Sequence, residues 1–171
     1  WRSANEGDSE SRRVLLLDAL EKARDLDHSG RLRDAVELCL EAIRISPAET
    51  TPYLALAGML VRASSFQDAL EVLQSLPSGF AAASARLLGA TVRLGLGDPV
   101  SALRLIDSVA DDPDMLVRAR ALNLKGLIAH GSGDTAAARP YFEAAIAADC
   151  SYGEPHANLG WLMWADEPGE Q

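Results

Sequence analysis

The sequence predicts an all-α fold, an α-solenoid of stacked antiparallel helix pairs. Three observations predict it. A short turn followed by an alanine recurs as Gly30-Arg31-Leu32-Arg33-Asp34-Ala35, Ser64-Ser65-Phe66-Gln67-Asp68-Ala69, Gly97-Asp98-Pro99-Val100-Ser101-Ala102 and Gly133-Asp134-Thr135-Ala136-Ala137-Ala138. The alanines step by 69−35 = 34, 102−69 = 33 and 138−102 = 36 residues, and self-similarity at such a period marks a stacked repeat. Apolar residues also follow the helical period, most clearly Leu32, Ala35, Val36, Cys39, Leu40, Ala42 and Ile43, which form a stripe on one helix face. Finally, no β-branched run alternates with period two and no hairpin dipeptide occurs, so no strand is predicted.

The elements follow in order. Residues 1–10 are polar and predict a disordered tail, with the helical repeat domain over 11–165 and a polar end, the fragment's boundary, over 166–171. A first helix is expected from about Ser11 to His28, carrying Val14, Leu17, Leu20 and Leu26. Gly30 makes the turn, and the partner helix runs until Pro47 stops it. Thr51-Pro52 reads as a cap followed by a proline at a position where its missing N–H costs nothing. The second pair carries Tyr53, Leu56, Ala57 and Leu60, then Phe66, Ala69, Leu70, Leu73 and Leu76, ending at Pro77-Ser78-Gly79. A third pair is expected over about Ala81–Leu94 and Pro99–Val109, with Asp98-Pro99 as cap. The fourth opens at Asp112-Pro113, runs to about His130 and restarts after Gly133-Asp134, where Pro140 should kink the second helix. A half-unit starts near Glu154.

Composition narrows the function classes. Sixteen basic against twenty-five acidic residues give a net charge of −9, which argues against nucleic acid or an anionic membrane surface as partner. Only Lys22 and Lys125 are lysines, a pattern that reads as a genomic coding bias. No apolar run approaches the roughly 18 residues of a membrane-spanning helix. Cys39 falls on an apolar helix face and Cys150 in a loop, so they predict neither a disulfide framework nor a metal site. The compartment stays open, with the cytoplasm slightly favoured. The first residues show no initiator Met and no signal-peptide pattern, so the chain reads as a piece of a longer or processed one.

These residues resemble the tetratricopeptide repeat. The best matches are Ala35, Ala42 and Pro47 after Gly30; Tyr53, Leu56, Ala57 and Ala69; and Leu122, Gly126, Ala138, Phe142 and Ala145, with Asn158-Leu159-Gly160 in the last half-unit. The resemblance covers roughly residues 14–165, as about four units and a half-unit, and implies a right-handed superhelix. Units two and three depart from the pattern: Ser64 replaces the turn glycine, the helix ends early at Pro77, and one extra residue separates Leu88-Gly89 from Gly97-Asp98. Cys150 replaces the closing proline of the fourth unit. Ala35, Ala69, Ala102, Ala138 and Gly126 are expected at the tightest helix crossings, where only small side chains fit.

The resemblance also implies a peptide-binding groove lined by the first helix of each pair. Carried over residue by residue, that face holds Arg24, His28, Arg62, Arg86, Arg93, Arg120, Asn123 and His130. Guanidinium groups donate forked hydrogen bonds to carboxylates, so the expected partner is an acidic protein or peptide. The competing reading is that these arginines are surface groups paired with Glu21, Asp25 or Asp27. The set does not reproduce the Lys/Asn clamp of chaperone-binding members. The last helix, with Leu159, Trp161, Leu162, Met163 and Trp164, is apolar nearly all round. A solenoid end should be polar outside, so Trp161, Met163 and Trp164 predict either a continuing chain or an interface, including one with a second copy.

No catalytic constellation is found. His28, His130 and His156 lack metal spacing, Gly95-Leu96-Gly97-Asp98 is too short for a phosphate loop, and Asp111-Asp112 sits beside a helix start. No cofactor is expected. The leading expectation is a non-catalytic protein-interaction scaffold. The alternatives are a repeat segment of a larger bacterial enzyme, such as a glycosyltransferase, sulfotransferase or hydroxylase, and a self-assembling unit.

Overall fold

The computed structural model describes residues 2–77, 79 and 82–166, with side chains from Glu10 to Ala165 outside the same gaps. The expected start at Ala81 lies outside the described residues, as do residues 167–171 of the polar end expected over 166–171; Asp166 closes α9. Among the described residues there are nine helices and no strand: α1 (Arg2–His28), α2 (Leu32–Ile45), α3 (Thr51–Arg62), α4 (Phe66–Gln74), α5 (Ala83–Gly95), α6 (Pro99–Asp107), α7 (Met115–Gly131), α8 (Thr135–Ala148) and α9 (Gly153–Asp166). The chain divides into two compact units, Trp1–Ala82 and Ala83–Gln171.

Each helix pair closes through one turn chemistry. The second residue after the first helix takes a left-handed backbone: φ is +80° at Gly30, +59° at Ser64, +76° at Gly97 and +85° at Gly133. In each turn this residue donates its N–H to a carbonyl three residues back, and the next residue reaches five back. Gly30 bonds Asp27 and Arg31 bonds Leu26; Ser64 bonds Val61 and Ser65 bonds Leu60. Gly97 bonds Leu94 and Asp98 bonds Arg93; Gly133 bonds His130 and Asp134 bonds Ala129. This paired pattern satisfies the carbonyls that a helix end leaves open. The residue after the left-handed one is also the cap of the next helix. Its carbonyl accepts from the alanine four residues on, at 3.1 Å for Ala35, 3.0 Å for Ala69, 3.2 Å for Ala102 and 3.1 Å for Ala138. The periodic Gly/Ser-to-Ala interval is therefore the geometry of one helix stop and one helix start.

In the first unit α1 packs on α2 and α3 on α4, while α2 and α1 both meet α3. The core gathers Ala23, Ala35, Cys39, Leu56 and Met59. The Cys39 Sγ lies 3.9 Å from the Met59 Sδ. In the second unit α5 pairs with α6 and α7 with α8; α7 also meets α5 and α6, and α9 rests on α8. One cluster holds Leu87, Ala90, Ala102, Ile106, Val109, Ala121 and Leu124. Another holds Ala138, Phe142 and Leu162. The four repeat alanines are fully buried, as their expected place at the tight crossings requires. Gly126 lies in the same situation: a Cβ built on it would stand 2.5 Å from the Phe142 Cε1.

Several boundaries differ from expectation. α1 as described begins at Arg2 rather than near Ser11, and no proline interrupts that stretch. The second pair caps at Thr50, not Thr51, without a side-chain capping bond, and Pro52 is buried in the first turn. The fourth pair caps at Asp114 rather than Asp112. Asp114 has extended backbone, and its carboxylate accepts from Leu116 N at 2.8 Å and Val117 N at 3.3 Å. Asp112 instead accepts from Asp114 N at 3.0 Å, shaping the turn before the cap. Asp98 caps as expected, accepting from Ser101 N at 3.0 Å, and Asp134, read only as part of the turn, caps α8 by accepting from Ala137 N at 2.9 Å. α8 runs through Pro140 as one helix.

Candidate functional site

The first helices position the residues expected to meet a partner. On α1, Arg24 and His28 are both exposed, and their spacing of four residues puts them on one face. Asp27 lies beside them with its side chain only 9% exposed. Its carboxylate pairs with the guanidinium of Arg62, at the end of α3. Arg62 therefore ties α1 to α3 within the first unit, which is the paired reading of this residue.

In the second unit the arginines also have partners. The Arg86 Nη1 donates to the Ser108 carbonyl at 3.2 Å, closing the C-terminal end of α6, where a cation suits the helix dipole. The Arg93 Nη1 stands 3.8 Å from Asp98, the cap of α6. The Arg120 guanidinium lies 5.9 Å from the centroid of the Tyr152 ring, within cation–π range. His130 is exposed near the end of α7.

Asn123 differs from the rest of the set. It is fully buried, and its amide is consumed by protein groups. Its Nδ2 donates to Tyr152 Oη at 3.4 Å and to Glu154 Oε2 at 3.3 Å, while its Oδ1 accepts from Asn158 Nδ2 at 2.9 Å. Tyr152 donates to Glu154 at 2.6 Å. Burial, and the Glu154 carboxylate beside it, push the Tyr152 phenol well above its usual range, so it remains a donor near neutrality. Of the expected residues, the second unit thus brings Arg120 and Asn123 together around Tyr152, and leaves Arg86, Arg93 and His130 at separate helix ends.

Tyr152, Glu154 and Asn158 were not among the expected site residues. One signal could have found Asn158: it follows Asn123 by 158−123 = 35 residues, one repeat step, so the register itself puts the two on successive first helices. Tyr152 and Glu154 precede or open α9 and carry no periodic signal.

On α9, Leu162 is buried against Ala138 and Phe142, but Trp161, Met163 and Trp164 are 60%, 55% and 67% exposed. The two indoles stack with centroids 4.9 Å apart and planes inclined by 24°. Cys39 is buried and Cys150 exposed. Burial, reinforced by the Asp27 charge, pushes the Cys39 thiol up to about 11. Among the described residues no helix is long and apolar enough to cross a membrane.

Comparison with known proteins agrees with this architecture. Residues 87–152 match the family model described as Tetratricopeptide repeat, so the recurring turn-and-alanine pattern there is a tetratricopeptide repeat. The chain is also similar to Cellulose synthase operon protein C of Pseudomonas fluorescens, at 30% identity over 146 residues. That match covers 80% of this chain and 11% of the relative, so the chain spans about a tenth of the length of the curated relative it matches.

Proposed function

We propose that this tetratricopeptide-repeat chain is a non-catalytic scaffold that binds a protein partner along the surface of its first helices. The repeat itself supports the coarse role, since each pair of helices contributes one segment of a binding surface rather than part of a catalytic cleft. The observation that carries the finer reading is the exposed Arg24/His28 face of α1, together with Arg120 on α7, whose guanidinium is exposed beside the Tyr152 ring. Both present cationic donors on first helices of a chain that is acidic overall, and a carboxylate-bearing partner is the chemistry they favour. Arg62, Arg86 and Arg93 contribute chiefly to holding helices in place.

The setting we propose is a longer protein of the kind the Pseudomonas relative represents, acting in a cellulose synthase operon. The support is the 30% identity together with the small share of the relative that the chain spans. In that setting the repeat positions a protein component while chemistry is done elsewhere.

The test is affinity capture from the source organism with wild type and an Arg24→Glu/Arg120→Glu variant side by side. These positions are exposed, so the variant should fold. A protein captured by wild type and lost by the variant supports the reading. Equal capture by both removes the basic first-helix surface from it, and no specific capture by wild type removes the scaffold role.

A further inference from the structure

We propose that Glu154 fills, from within the chain, a seat fitted to a partner's carboxylate, and that an acidic partner binds there by displacing it. This rests on the reading of a basic first-helix surface and names one contact on it. Two donors make the seat. Tyr152 Oη donates to Glu154 Oε2 at 2.6 Å, and Asn123 Nδ2 donates to the same oxygen at 3.3 Å. Donors aimed together at one carboxylate oxygen suit a carboxylate from outside equally well. Neither donor is loosely held. Asn123 is fully buried on α7, and the Asn158 Nδ2 bond to its Oδ1, at 2.9 Å, fixes which end of the amide faces Glu154. The Tyr152 ring lies under the Arg120 guanidinium, 5.9 Å from ring centroid to cation. Arg120 is exposed and forms no hydrogen bond or ion pair among the described residues, so a cation with unused donors stands beside the filled seat.

The occupant is the replaceable part. Glu154 lies in the first turn of α9 and is exposed, so the seat meets solvent where its carboxylate stands. An internal carboxylate competes at an effective concentration on the order of millimolar. A single external carboxylate therefore gains little, whereas a run of acidic side chains can fill the seat and engage Arg120 together. Without Glu154 the Tyr152 hydroxyl loses its acceptor, and the Asn123 amide loses one of the two acceptors of its Nδ2. A donor left without a partner in a half-buried place favours any acceptor that reaches it.

Fluorescence anisotropy with a labelled hexaglutamate peptide tests this on wild type, Glu154→Ala, Glu154→Ala/Tyr152→Phe and Glu143→Ala. Glu143 is exposed on α8, so its variant removes the same charge away from the seat. We expect Glu154→Ala to bind about tenfold more tightly than wild type, the effect of one charge-assisted hydrogen bond. Glu143→Ala should bind as wild type does, and loss of the Tyr152 hydroxyl should remove the gain. In parallel, sodium acetate should raise the Tm of Glu154→Ala above its value in sodium chloride of equal ionic strength, and leave wild type unmoved. A Glu154 that only starts α9 would change stability and neither of these readouts. Equal peptide affinity in Glu154→Ala and Glu143→Ala overturns the proposal, as does a gain that survives Tyr152→Phe, or acetate acting no better than chloride. If Glu154→Ala does not fold, Glu154→Gln, which keeps the shape and drops the charge, decides by the same comparison with Glu143→Gln. Should Arg24→Glu/Arg120→Glu lose the captured partner while Glu154→Ala binds the peptide no tighter, the scaffold reading stands and the displaced seat is overturned.

Discussion

A Cβ on Gly126 would stand 2.5 Å from the Cε1 of Phe142, so α7 and α8 cross where only hydrogen fits. The Phe142 ring is almost wholly buried and also packs with Ala138 and Leu162. Gly126→Ala should therefore overpack this crossing. The strain is about 1–3 kcal/mol, partly offset by roughly 1 kcal/mol of better helix propensity. We expect a net loss of up to about 2 kcal/mol in urea unfolding. Phe142→Leu should recover part of it, so that the double variant is more stable than the sum of the singles predicts.

Ser64 is the one described non-glycine residue with positive φ, at the turn position that Gly30, Gly97 and Gly133 fill. A left-handed conformation costs an L-residue about 1–2 kcal/mol. Ser64→Gly should raise stability by about 1 kcal/mol after the extra freedom of glycine in the unfolded chain is counted. Gly97→Ala should lower it by a similar amount. Equal urea midpoints for Ser64→Gly and wild type would remove the strain argument.

Asp98 caps α6, and the hydrogen bonds from Ser101 hold its carboxyl below the usual carboxylate range, with Arg93 and Arg104 adding to the effect. A carboxyl lowered in the folded state stabilises above its unfolded pKa, which is about 4. That stabilisation is lost as pH falls through the folded value. Wild type should therefore lose more stability than Asp98→Asn between pH 5 and 2, since asparagine caps without titrating. Parallel pH profiles for the two proteins would contradict the capping role.

The two cysteines should report opposite environments. Cys150 is exposed, whereas Cys39 is buried with its thiol pushed up to about 11. A thiol-specific chromogenic reagent at pH 8 should titrate one cysteine per folded chain and two in denaturant. Cys150→Ser should abolish the fast reaction; fast reaction surviving in that variant would place Cys39 at the surface.

Much of the fold is legible in the sequence because one local device repeats. The turn residue, the cap and the buried alanine are fixed by backbone hydrogen bonding within about six residues, so their spacing survives as a pattern in the letters. Gly126 is legible for the same reason, since close packing demands a missing side chain. The site is less legible. Arg62 finds Asp27 on a neighbouring helix, and Asn123 turns into a buried network with Tyr152, Glu154 and Asn158. Neither outcome is local, and a helical wheel places a side chain on a face without saying what stands opposite. The caps at Asp112 and Asp114 illustrate the finer limit: two acids two residues apart both suit a helix start, and only backbone geometry chooses Asp114.

The most direct test of the scaffold is hydrogen exchange on the chain with and without its captured partner. Binding along the first helices should protect amides in α1, α3, α5 and α7, most of all around Arg24 and Arg120. Protection confined to α2, α4, α6 and α8, or none at all, would contradict it.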